Sequence, residues 1–156
     1  MNKYSTTNSN TNTGGWKSSY MRTSIIPSFK QALSSDLRSV LKTVTIYSDN
    51  TGGGQDNASY VTSTTDDVYL VAEFEVFGSR ARANSTEQNY QTQFVYYKNG
   101  NSKIKYRHSS TSSSAWWWER SPYYDNSTTF CFVTANGGAD YYGASCSNGF
   151  APVFKV

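Results

Sequence analysis

Histidine is almost missing from this chain of 156 residues: His108 stands alone, and cysteine occurs only at Cys131 and Cys146. A single histidine without a partner leaves a serine or cysteine nucleophile no base, and His108 reads as structural or exposed. The two cysteines lack the Cys/His spacing of a zinc site and are too few for a disulfide framework, so they stand either bridged or free. No phosphate-cradling glycine loop and no His-Glu-x-x-His helix is present. Asp49, Asp56, Asp66 and Asp67 do not follow a calcium-loop pattern. No cofactor or metal is expected, and the chain reads as a non-enzyme. The net charge is only +3, without a Lys/Arg cluster, so no nucleic-acid footprint is expected. No apolar run approaches the ~18 residues of a membrane span, and the polar start lacks the apolar core of a signal peptide.

A more local absence is more informative. Between Ser121 and Pro152 there is no Lys, Glu, Gln, Met or Trp, although all five occur elsewhere in the chain. That stretch is made of Tyr, Asn, Ser, Thr, Asp and Gly, and the rigid block Trp116-Trp117-Trp118-Glu119-Arg120-Ser121-Pro122 precedes it. Aromatics make up 16% of the chain and include thirteen tyrosines. Tyrosine gives contact area at low entropic cost and Ser, Gly and Asn adapt, as in antibody paratopes. The alternative is a β-rich domain with tyrosines on half-buried strands. The stretch is read as a displayed binding surface that the rest of the chain holds still.

In chain order, residues 1–14 read as a disordered lead-in or linker, and 15–156 as one domain. Met21, Ile25, Phe29 and Leu33 recur every four residues and predict an amphipathic helix, kinked or interrupted at Pro27. Ser34-Ser35-Asp36 stops it and caps a second helix carrying Leu37, Val40 and Leu41. Val44 to Tyr47 reads as a strand, Asp49 to Asn57 as a glycine loop, and Val68 to Leu70 as extended, with strand or a helical turn following to Phe77. Glu73 and Glu75 are read as a solvated face, the alternative being a catalytic carboxylate pair. Ser79 to Thr86 reads as a polar loop, Glu87 to Lys98 as helical, Lys103 to Arg107 as a strand and Ser109 to Ser114 as a serine loop. Sequon matches at Asn57, Asn84 and Asn126 arise readily in so Asn/Ser/Thr-rich a chain and carry little weight.

Several short motifs together resemble one family. They are Trp-Trp-Trp-Glu-Arg-Ser-Pro from Trp116, Phe130-Cys131, Gly149-Phe150-Ala151-Pro152, Gly14-Gly15-Trp16, Ser19 to Thr23, Glu73 to Gly78, and Tyr96 to Gly100. Their combination resembles the variable proteins of diversity-generating retroelements, found in phages and gut bacteria. The resemblance implies an α+β, C-type-lectin-like fold, with two N-terminal helices packed on small antiparallel sheets with long loops. It also implies that adenine-directed diversification scatters asparagine codons over residues 121–150, which accounts for the missing residue types.

On that basis the diversified, ligand-contacting positions are Tyr123, Tyr124, Asp125, Thr128, Thr129, Phe132, Thr134, Asp140, Tyr141, Tyr142, Ser145 and Cys146. Trp116, Trp117, Trp118, Arg120, Pro122, Phe130, Val133, Pro152 and Phe154 are assigned to the scaffold. The Glu-Pro-Asn and Trp-Asn-Asp motifs of calcium-dependent lectins are not in this chain, so calcium-dependent sugar binding is not implied. The resemblance implies a hypervariable ligand- or receptor-binding domain of a phage tail tip or bacterial surface. Its partner would be a protein or glycan on a bacterial surface, and a homotrimer through the upstream region is compatible with it. The other readings are an enzyme of the formylglycine-generating-oxidase-like branch, using Cys131 and Cys146, and a structural virion protein.

Overall fold

A computed structural model describes residues 9–156 and the backbone of Asn2–Lys3. The helical region comes first: α1 (Gly15–Ser18), a π-helical segment (Met21–Ile25), α2 (Ile26–Ala32) and α3 (Ser35–Val40). The expected apolar stripe holds for Met21, Ile25 and Phe29, whereas Leu33 is the extended residue that ends α2 and lies outside the core. Met21 and Ile26 are buried, and Ile25 and Phe29 pack against the same core. Pro27 is the second residue of α2, directly after the π-helical segment, so the helical path changes type where the proline enters. The Ser34 hydroxyl accepts from the Leu37 N–H at 3.3 Å and caps α3, as the sequence predicted.

Antiparallel strands β2 (Val44–Asp49) and β3 (Val61–Asp66) flank the glycine loop. Strand β4 (Val68–Leu70) pairs with the closing strand β11 (Pro152–Phe154), and α4 (Glu73–Phe77) follows β4. Helix α5 (Val95–Lys98) precedes the hairpin of β5 (Lys105–Arg107) and β6 (Ser110–Ala115). The main sheet holds β1 (Asn2–Lys3), β7 (Trp117–Pro122), β8 (Thr129–Val133), β9 (Ala139–Gly143) and β10 (Ser147–Phe150). Its order is β1-β10-β7-β8-β9, with β10 parallel to β7 and the other pairs antiparallel. The architecture is therefore α+β, with few helices and several small sheets.

The consecutive tryptophans follow from strand geometry. Successive side chains on a strand point to opposite faces. Trp118 enters a core with Trp16, Met21, Leu70, Phe130 and Phe132, while Trp117 enters a second core with Val71, Val76, Tyr97 and Val133. Two cores thus clamp β7 and β8, both buried along their whole length.

Several expectations need correction. The segment from Glu87 to Lys98 is not one helix: a 3-10 turn (Ser85–Asn89) and α5 are separated by irregular chain. There the Phe94 N–H donates to the Glu75 carbonyl and Gln91 Nε2 to the Tyr47 carbonyl, so tertiary bonds override the spacing. The expected serine loop is largely β6. Phe154, assigned to the scaffold, is 37% exposed. Residues 10–14 of the expected lead-in pack on the domain. Asn12 is fully buried, and its Nδ2 lies 2.7–3.2 Å from the carbonyls of Tyr123, Asn126 and Thr129. The rest of that expectation, at residues 1 and 4–8, lies outside the described residues. At Gly15 φ is +52°, and a Cβ would lie 2.0 Å from the Asp49 carbonyl oxygen, so no larger residue fits there.

Candidate ligand-binding face

Beneath the polar loops lies a set of buried charges. The paired register of β7 and β8 breaks between Trp118 and Pro122, and the Arg120 N–H turns to the Val71 carbonyl at 2.8 Å. The Arg120 guanidinium grips Glu75 with two bonds, Nη1 to Oε2 at 2.6 Å and Nη2 to Oε1 at 2.7 Å. It also donates to the carbonyls of Leu70 and Tyr47. Burial works against this charge, but Glu75 and then Glu87 override it and raise the Arg120 pKa. Glu73 accepts the backbone N–H groups of Ala81, Arg82 and Ala83 at 2.8–3.0 Å. Glu87 accepts from the Ser48 and Ser121 hydroxyls, the Asp49 N–H and Gln91 Nε2.

Glu73 and Glu75, expected on a solvated face, are therefore buried struts. Their oxygens are engaged by backbone amides and by an arginine 45 residues away in sequence. Glu119 differs: it is fully buried and neither carboxyl oxygen has a partner. Burial first, and then the charges of Glu73, Glu87 and Glu75, push its pKa well above the usual carboxylate range. Burial also lifts Glu87, against the pull of its hydrogen bonds.

Glu73 fixes the loop that carries Arg80 and Arg82, and this loop meets the tyrosines. The Tyr124 N–H donates to the Arg82 carbonyl at 3.0 Å. The Tyr123 and Tyr141 rings stack at 4.4 Å, and Tyr124 packs edge-on to Tyr123 at 5.5 Å. The Arg80 guanidinium sits 4.3 Å from the Tyr124 centroid, and that of Arg82 sits 4.9 Å from Tyr141 and 6.0 Å from Tyr123. Arg80 is itself braced by Asp56 at 2.7 Å and by the Ala83 carbonyl. Three tyrosines and two arginines make one continuous, partly exposed face.

The full length, residues 1–156, matches a family described as "Domain of unknown function (DUF6273)". The chain belongs to the DUF6273 family. No curated protein and no solved structure matched it.

In this DUF6273 domain the twelve expected contact positions do not share one face. Tyr141, 38% exposed, joins Tyr123 and Tyr124, but Tyr142, 39% exposed, alternates to the other side of β9. There it meets Trp116 and Phe132 at 5.4 and 5.9 Å. Asp140 lies 3.9 Å from Arg82 at the edge of the first face. Asp125 is exposed, and Thr128 bonds the Asn126 side chain through both its N–H and its hydroxyl. Thr134 accepts from Gly138 in the β8–β9 turn, and Ser145 donates to Asn10. Cys146 is half-buried beside Tyr142.

Two positions are corrected. Phe132 is buried in the first core against Trp118, and Thr129 is buried at the start of β8. Both lie on a strand covered on both sides, so neither side chain reaches a ligand in this arrangement. Cys131 and Cys146 are both free, and burial, then the charges of Glu73 and Glu119, push the Cys131 thiol well upward. That is the opposite of an activated thiolate. Among the described residues no group of three or more His, Cys, Asp or Glu side chains could hold a metal ion. No helix among them is long and apolar enough to cross a membrane.

Sequence reasoning missed Arg80 and Arg82. Their one signal was an Arg-x-Arg repeat inside a loop read only as polar. It also placed Trp116 wholly in the scaffold, whereas that ring is 41% exposed.

Proposed function

We propose that this chain is a hypervariable ligand- or receptor-binding domain with a C-type-lectin-like fold, of the kind diversified by retroelements. It would act at a phage tail tip or bacterial surface and recognise a protein or glycan on a host cell. The observation that carries the reading is the face of Tyr123, Tyr124 and Tyr141, stacked with Arg80 and Arg82 above a buried carboxylate frame. Tyrosine and arginine dominate binding hot spots because they combine large contact area with hydrogen bonding. Here they are ordered before a partner arrives, which lowers the entropic cost of binding. The frame beneath takes nothing from the variable side chains except the two buried positions, so the outer residues are replaceable.

The test is binding of the whole chain to an array of bacterial surface proteins and glycans, beside the Tyr123→Ala/Tyr141→Ala variant. Binding lost in the folded double variant supports the reading. An array on which variant and parent give the same signal removes the tyrosine face from the function.

A further inference from the structure

A second concave site lies on the other side of β9. Four segments converge there. The β5–β6 hairpin brings Arg107 and Ser114, with a register shift between Tyr106 and Arg107 that sets Arg107 opposite Ser110. Trp116 comes from the residue before β7, Tyr142 from β9, and Ser147 and Asn148 from β10. The cleft encloses about 490 Å³, inside the range of about 300–1,000 Å³ usual for ligand sites.

Its chemistry is one-sided. The Trp116 and Tyr142 rings stand nearly perpendicular, at 78°, and form an aromatic corner. Trp117 donates its indole N–H to the Lys103 carbonyl, while the Trp116 N–H has no protein acceptor among the described residues. Asn148 is 3% exposed and its Nδ2 is buried without a hydrogen bond. Such an orphaned donor is uncommon in a folded protein and calls for an explanation. Arg107 makes no ion pair among the described residues, and no carboxylate side chain lines the cleft. The backbone under Trp116 is firm: Gly149 N–H donates to the Trp116 carbonyl at 2.9 Å, in the parallel pairing of β10 with β7.

We propose that this cleft binds a saccharide ring carrying a carboxylate, with the ring against Trp116 and Tyr142 and the carboxylate on Arg107. The inference rests on the reading of the chain as a binding domain and names a ligand class for the Tyr142–Cys146 side of it. The C–H face of a pyranose is slightly positive and packs on the electron-rich face of an indole. A guanidinium without an ion partner pairs with a carboxylate through two parallel bonds. The ring hydroxyls are partners for Ser114 and Ser147. An aromatic carboxylate would satisfy Trp116 and Arg107 but would leave those two hydroxyls unserved.

The test titrates the whole chain with a galacturonate tetrasaccharide, the neutral galactose tetrasaccharide and benzoate. Binding is followed by the Trp116 indole N–H resonance and by tryptophan fluorescence. The other three tryptophans are buried, so the fluorescence change reports on Trp116. The uronate should bind at least about tenfold more tightly than the neutral sugar or benzoate. Arg107→Gln should bring the uronate down to the level of the neutral sugar, and Trp116→Ala should remove both. Tyr141→Ala, on the opposite side of β9, should change neither.

Equal binding of charged and neutral sugars, preference for benzoate, or no effect of Arg107→Gln would overturn the proposal. If no sugar binds while the surface array still depends on Tyr123 and Tyr141, this proposal falls and the binding-domain reading stands. Uronate binding that needs Arg107, on a chain whose array signal ignores Tyr123 and Tyr141, supports this cleft and removes the other face.

Discussion

The buried frame and the tyrosine face use the same residue types in opposite ways. In the frame, Arg120 is fully buried, meets Glu75 with two bonds and adds two backbone carbonyls. On the face, Arg80 and Arg82 lie over aromatic rings and stay part-exposed. A buried ion pair tolerates one geometry, because losing either partner strands a charge in a low-dielectric interior. A cation over a ring at the surface tolerates many, since water replaces whatever leaves. The contrast locates where this fold can accept change and where it cannot.

The contrast is broken most severely from below. Arg120→Ala or Glu75→Ala should cost about 3–5 kcal/mol of unfolding free energy by urea denaturation, since each leaves a buried charge unpaired. Loss near zero would mean that the pair is not what holds α4 to β7. Glu73→Ala comes next, at about 1–3 kcal/mol, because three backbone amides lose their acceptor. It should also weaken array binding, as the loop carrying Arg80 and Arg82 is released. Full binding by this variant would separate the frame from the face.

Glu119 sharpens the comparison through pH. Its folded pKa is raised, as is that of Glu87, so the folded chain keeps protons that the unfolded chain has released. Their stabilising contribution is whole below the unfolded carboxyl value of about 4.3 and is lost as pH climbs toward the folded values. Glu119→Gln is neutral at every pH and should flatten that decline, raising stability at pH 8 by about 1–3 kcal/mol. Thermal melts of both proteins from pH 4 to pH 9 would show it, and parallel curves would contradict it.

The smallest effect on the fold is expected at the face. Tyr141→Ala should change stability by no more than about 0.5–1 kcal/mol, yet weaken binding of an array partner about tenfold or more. A Tyr141 variant that unfolds would place this ring in the scaffold.

The parts of the fold that were legible in the sequence were the local ones. The four-residue spacing from Met21 and the Ser34 cap each depend on neighbours within a few residues. Glu73 and Glu75 were misread because their partners come from elsewhere: a loop eight to ten residues on, and an arginine across the sheet. Tyr90, Phe94, Val95 and Tyr97 imitated helical spacing, but Val95 is 70% exposed and no single helix exists there. The serines of β6 have weak strand propensity and are extended because β5 pairs with them. At the candidate site, composition singled out residues 121–150. It could not reveal that Tyr141 and Tyr142 part company across β9, or that the Arg80–Arg82 loop comes to meet them.

Asn12 carries a practical lesson for anyone who would reuse this domain to display new loops. Its single amide ties the segment before α1 to the Tyr123 and Asn126 carbonyls in the turn after β7 and to the Thr129 carbonyl at the start of β8, and its Oδ1 receives the Gly53 N–H. A library cloned from Gly15 onward would keep every helix and the four long strands of the main sheet, and would lose the peg on which its randomised turn hangs.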